Sequence, residues 1–179
     1  MMIATKPQSL ELFFIDGKPD GMLTAEVFNW TGHVLMTPRT QLSAALKRAE
    51  ARYTGVYLLL GEDDNGPLVY IGEGEDIGDR IKSHDTKKDW WTIVMLITSA
   101  ANNLNKAHVK YLESRLVEEA RRIGKVALDN GNTPVPERSG PRQYGEFSRI
   151  YPDGIAGVAY RQFSGQYPAQ ITCSHIAAG

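Results

Sequence analysis

Cysteine is nearly missing from this chain: one thiol, Cys173, in 179 residues. A lone thiol closes no internal disulfide, which fits a reducing compartment. It lies in the least patterned part of the chain, so it is a poor candidate nucleophile. Charge of one sign is missing too. Twenty Lys and Arg against 21 Asp and Glu leave a net charge of -1, which excludes the basic coat of a chromosome-packing protein but leaves room for a local phosphate-binding face. No apolar run approaches the ~20 residues of a membrane helix. Met1–Leu10 lacks the apolar stretch of a signal peptide. The expectation is a cytoplasmic protein with no membrane partner. Internal repeats and low-complexity segments are absent as well. The length suits one domain, or one domain with an appendage, and is enough for a real core.

The patterns that are present run in order. Residues 1–8 read as a loose terminus, Leu10–Ile15 as a strand, Asp16–Gly21 as a turn and Met22–Phe28 as the returning strand. A third extended piece covers His33–Met36. From Pro38 and Thr40 a helical stretch is expected, with Leu42, Ala45, Leu46 and Ala49 on one face. Gly55–Leu60 and Leu68–Ile71 are apolar strands joined by a hairpin whose turn signal is Asn65-Gly66. Asp76, with Asp79 three residues on, caps a short helix whose Ile77 and Ile81 face the core. Arg80 and His84 lie four apart on another face of it. Trp91–Ile97 is a further strand. A long helix from about Lys106 to Ile123 carries Val109, Leu112, Leu116, Ala120 and Ile123 as its apolar stripe, with Glu113 at the stripe's edge and Gly124 as C-cap.

Taken singly, the polar members of these elements have ordinary explanations. Tyr57 and Tyr70 suit a core, Arg80 and His84 a solvated helix face, and Glu113 a rim pairing with Lys110 or Arg115. Their order is more informative. Gly55-Val56-Tyr57 is followed thirteen residues later by Tyr70-Ile71-Gly72, then an arginine ten further on and a glutamate in the next long helix. This succession resembles the GIY-YIG nuclease superfamily over roughly Gly55 to Asn132. The wider pattern also looks like a bacterial branch of that family with an amino-terminal extension, in which segments similar to Asn29-Trp30-Thr31-Gly32, Lys106–Glu113 and Asn130-Gly131-Asn132 recur.

The residue types suit that chemistry. Phosphodiester hydrolysis needs an oriented water, charge stabilisation on the phosphoryl oxygens and help for the leaving group. Glu113 suits a hard divalent cation, Mg²⁺ or Mn²⁺, that keeps most of its waters. Arg80, permanently charged and fork-shaped, suits phosphate oxygens. By the resemblance Tyr57 is the general base and Tyr70 positions water or phosphate; a phenol of ordinary pKa ~10 needs a neighbouring cation for that role. His84 shuttles a proton or orients the water. Asn130, or failing that Asn132, matches a family asparagine that braces the site. Lys82, Lys87, Lys88 and Lys106 are candidate contacts to DNA, and Trp90 and Trp91 either stack on bases or begin a strand.

Some relatives have a lysine three residues after the second motif's tyrosine, where this chain has Glu73, and Glu75, Asp76 and Asp79 make the neighbouring loop acidic. The glycine-rich run Gly72–Gly78 lacks the spacing of a dinucleotide fingerprint and the lysine of a P-loop. The expected fold is α+β: a small GIY-YIG antiparallel or mixed sheet flanked by helices (53–136), preceded by a β-hairpin-plus-helix extension (1–52). Residues 137–179 are expected to be an irregular tail, disordered or derived from a frameshift, since Gln143–Val158 can be back-translated so that the neighbouring frame reads NMESFLEYTRMVLPVL, an amphipathic string like the family's ending. The expected function is metal-dependent DNA cleavage by water attack. The rival is a catalytically silent nucleic-acid or protein interaction module on the same fold. Double-strand cleavage would require a homodimer or a second engagement.

Overall fold

The computed structural model describes residues 9–27, 31–124 and 126–131. The expectations for Asn29 and Trp30, for Asn132, and for the tail with Cys173 fall outside the described residues. Within them the chain is α+β, with seven strands in one mixed sheet. These are β1 (Leu10–Phe14), β2 (Leu23–Val27), β3 (Gly32–Pro38), β4 (Gly55–Asp63), β5 (Gly66–Gly74), β6 (Trp91–Ser99) and β7 (Ala127–Leu128). Their spatial order is β1-β2-β3-β6-β4-β5-β7. All neighbours are antiparallel except β5 and β7. Three α-helices complete the fold: α1 (Leu42–Ala45), α2 (Ile77–Asp85) and α3 (Lys106–Ile123).

Strand alternation explains where the two cores lie. Val56, Leu58 and Leu60 of β4 point to one face, where they pack with Val69, Ile71, Met95 and Ile97 beneath Val109, Leu112 and Val117 of α3. Tyr57 and Leu59 point to the other, with Val94 and Leu96, beneath Ile77 and Ile81 of α2 and Leu42 and Ala45 of α1. The central strands β4 and β6 are covered on both sides over Val56–Leu60 and Val94–Ile97, and these stretches are accordingly continuous apolar runs.

Local chemistry sets the helix ends. Asp76 Oδ1 accepts from the Asp79 backbone N–H at 3.0 Å and starts α2. Asn105 and His108 form a reciprocal capping box at the start of α3. Gly124 closes that helix in the left-handed region at φ 64°.

Three details differ from the sequence expectation. The helix foreseen from Pro38 to Ala49 is one turn of α-helix between two 3-10 turns, Arg39–Gln41 and Ala49–Arg52. Arg48 leaves helical geometry at φ -78°, ψ 151° and its guanidinium holds Glu50 at 2.7 Å. Glu50 in turn meets His33 of β3 at 3.2 Å. Side-chain pairing across elements thus outweighs one more helical turn of modest propensity. Secondly, Trp91 keeps only one of its two expected roles: it begins β6 and is fully buried, with the Arg39 guanidinium 4.5 Å from its ring centre, so it is not available to stack on bases. Thirdly, the two-residue strand β7 was not foreseen, because two residues carry no readable period.

Candidate active site

The two tyrosines stand on adjacent strands. Tyr57 pairs in register with Gly72, and Leu59 with Tyr70, so both phenols share the α2 face of the sheet. Tyr57 is buried, Tyr70 half-buried. Their ring centres are 6.1 Å apart. His84, in the last turn of α2, joins them at 5.7 Å from Tyr57 and 4.7 Å from Tyr70. Lys88 completes the group, with its ammonium 4.7 Å from the centre of the Tyr70 ring and ion-paired to Asp129.

Two glycines make this approach feasible. A Cβ on Gly72 would lie 2.5 Å from the Tyr57 hydroxyl, and one on Gly74 would lie 2.9 Å from Cγ of Arg80. Only residues without a side chain let the phenol and the arginine stem lie across the end of β5. Gly72 of the second motif, and Gly74 just beyond it, therefore have a steric reason.

Glu113 arrives from the opposite side. Its helix packs on the other face of the sheet, and the faces communicate around the end of β5, where β7 has already ended its pairing at Leu68 and Val69. The side chains of Glu113, Glu73 and Arg80 make no hydrogen bond or ion pair among the described residues, but their charges are mutually felt. Burial, then the neighbouring Glu73, push the Glu113 carboxyl up to about 7, against the opposing pull of Arg80 and Lys110. The Tyr57 phenol is driven far above the ordinary range, first by burial, then by the Tyr70 phenol; Arg80 lowers it and Glu113 raises it. His84 is held below its usual value by burial and by Lys88, Arg80 and Lys87, with Asp129 acting the other way. Its Nδ1 is buried with no hydrogen-bond partner among the described residues. At neutral pH burial therefore keeps the Tyr57 phenol protonated and favours the neutral form of the His84 imidazole.

Asn130 lies at the edge of this group. Its Oδ1 accepts from the Ile71 N–H at 3.1 Å and its Nδ2 donates to the Ile71 carbonyl at 2.7 Å. It holds the strand between Tyr70 and Gly72 in place of a further strand partner. The candidate DNA contacts divide. Lys88 belongs to the tyrosine cluster, and Lys87 is exposed beside it. Lys106, also exposed, is 3.7 Å from Glu75. Lys82 lies on the far flank of α2, 3.1 Å from Asp79.

Among the described residues no group of three or more His, Cys, Asp or Glu side chains is arranged to hold a metal ion. A hydrated cation held by one or two carboxylates needs no such cage. Glu113 fits that use: it is a hard oxygen donor, half-buried, beside a second carboxylate whose repulsion a cation would relieve. Glu73 is the residue that sequence reasoning undervalued. In the sequence it reads as a misplaced negative charge; only the pleat of β5, which turns it toward Glu113, gives it a partner.

Compared with family models, with curated proteins and with solved structures, the chain finds no match. No helix among the described residues is long and apolar enough to cross a membrane.

Proposed function

We propose that the chain is a phosphodiester hydrolase of the GIY-YIG type. More narrowly, it is a Mg²⁺- or Mn²⁺-dependent DNA endonuclease. The observation that carries this reading is the convergence of Tyr57, Tyr70 and His84 within ring contact, with the charges of Arg80 and Glu113 both registering on the Tyr57 phenol.

Glu113, with Glu73 beside it, is the candidate holder of the divalent ion, which when bound neutralises charge on the phosphoryl oxygens and supplies an acidified water. Arg80, exposed and with its side chain in no ion pair among the described residues, binds the phosphate. The sequence reading made Tyr57 the base. Its burial argues for a different division of labour: a phenol so hard to ionise donates a hydrogen bond, and the neutral imidazole of His84 receives the proton. Tyr70, half-exposed between His84 and Lys88, orients the attacking water. Asn130 positions β5 without touching the reacting atoms.

A supercoiled plasmid incubated with Mg²⁺ tests the proposal. Nicking is expected from the wild type and lost in Glu113→Ala and Arg80→Ala. DNA that is bound but never nicked would reassign the chain to the silent interaction module, a reading favoured by the acidic stretch Glu73, Glu75, Asp76 and Asp79.

A further inference from the structure

A groove of about 790 Å³ lies between α1 and α2, on the flank of α2 away from the tyrosines, and Arg39, Lys47, Arg52 and Lys82 line it with Ser43 and one carboxylate, Asp85. Arg39 is committed to holding the fold together. It bonds Asp85 at 2.8 Å and the backbone carbonyls of Asp89 and Asp85 at 3.0 and 2.9 Å. Arg52 and Lys82 share Asp79 at 3.2 and 3.1 Å, and Arg52 also reaches Asp76 at 3.0 Å. All four of these side chains are substantially exposed, so a stronger anion can compete for the two cations. Lys47 is exposed with no carboxylate partner among the described residues.

The helical period separates the two flanks of α2. Arg80 and His84 follow one side, Lys82 and Asp85 the other, and Asp79, Ser83 and Thr86 form the outward ridge between them. A helix with side chains is about 10–12 Å across, close to the ~12 Å width of the major groove of duplex DNA.

Resting on the nuclease reading above, we propose that α2 enters the major groove of duplex DNA. The strand to be cut passes the Arg80 and His84 flank. Phosphates of the opposite strand enter the groove lined by Lys47, Arg52 and Lys82. Duplex is thereby preferred over single-stranded DNA, because only a duplex offers a backbone to both flanks at once.

The test uses Ser43→Glu/Lys47→Glu, two exposed positions that belong only to the groove. Fluorescence anisotropy with duplex and single-stranded oligonucleotides of one sequence is run over a salt series, alongside Mg²⁺-dependent cleavage. The variant should bind duplex about tenfold or more weakly, with a salt slope shallower by about 1 for the one cation removed, and bind single strands within about twofold of wild type. Ser43→Lys should tighten duplex binding by about threefold, a gain that a folding defect cannot mimic. Equal duplex affinity and slope in wild type and both variants, or no duplex binding by the wild type, overturns the groove assignment. Loss of duplex affinity in a protein that never cleaves would sink the nuclease reading and leave the groove standing.

Discussion

Glu113 is the side chain whose protonation has the widest consequences. Its folded value of about 7 lies above the ordinary 4.5, so the folded state holds the extra proton between those pH values. Stability therefore falls as pH rises from about 4.5 to 7 and stays lower above. Glu113→Gln should stabilise the fold at pH 8 by about 1–2 kcal/mol after allowance for solvent screening, and by almost nothing at pH 4; urea unfolding at the two pH values measures this. On the proposed nuclease reading, the same group should give cleavage an ascending pH limb near 7 that moves down as Mg²⁺ is raised, because metal and proton compete for one carboxylate. His84 should contribute a second ascending limb below 6.5. His84→Ala should remove that limb and lower kcat about 10²-fold or more, whereas Tyr57→Phe, losing one hydrogen bond, should cost less and leave the limb in place. Gly72→Ala puts a methyl group 2.5 Å from the Tyr57 hydroxyl, so kcat should fall while Kd for DNA stays near wild type.

At the scale of the element, β5 is held by different means along its length. Its inner side pairs with β4 from Gly66 to Gly74. Its outer side has β7 only at Leu68 and Val69, then the Asp129 N–H bonding the Val69 carbonyl at 2.8 Å, then the Asn130 amide on Ile71. Asn130→Ala leaves both polar groups of Ile71 without that partner and should destabilise the protein by about 1–3 kcal/mol. Amide hydrogen exchange should quicken at Ile71 while the centre of β4 stays protected. Asn130→Asp keeps only the acceptor and should fall between. The short helix α2 depends in the same way on its cap: Asp76→Ala should cost about 1 kcal/mol and also removes one of the two carboxylates that hold Arg52, coupling the end of the helix to the basic groove.

For the whole molecule, the main fact is one continuous sheet. The first three strands join the tyrosine-bearing strands through β3 and β6, which pair over seven residues from Gly32 opposite Ser99 to Pro38 opposite Ile93. Leu35, fully buried on β3, lies in the same core as Tyr57 and Trp91. Leu35→Ala should cost about 2–5 kcal/mol, and unfolding followed by far-ultraviolet circular dichroism and by tryptophan fluorescence should remain coincident, since no boundary within the sheet separates the two signals. A transition in two steps would mean that residues 1–52 unfold on their own.

Local patterning by itself determined most of the elements: the strand pairs from short apolar runs bounded by turn residues, α2 from Asp76 and Asp79, α3 from a stripe at helical spacing with Asn105 before it and Gly124 after. Those signals are legible because each depends on neighbours only a few positions away. The order of tyrosines, arginine, histidine and glutamate likewise marked the candidate site in advance. Tertiary structure decided the rest. The break after Leu46 follows from Arg48 meeting Glu50 and from Glu50 meeting His33, and β7 exists only because β5 offers it an edge. Glu73 acquires meaning when the pleat turns it toward Glu113. The high value of the Tyr57 phenol and the neutrality of His84 come from burial among groups distant in the chain. Ionisation depends on what surrounds a group in space, and no local sequence pattern carries that information.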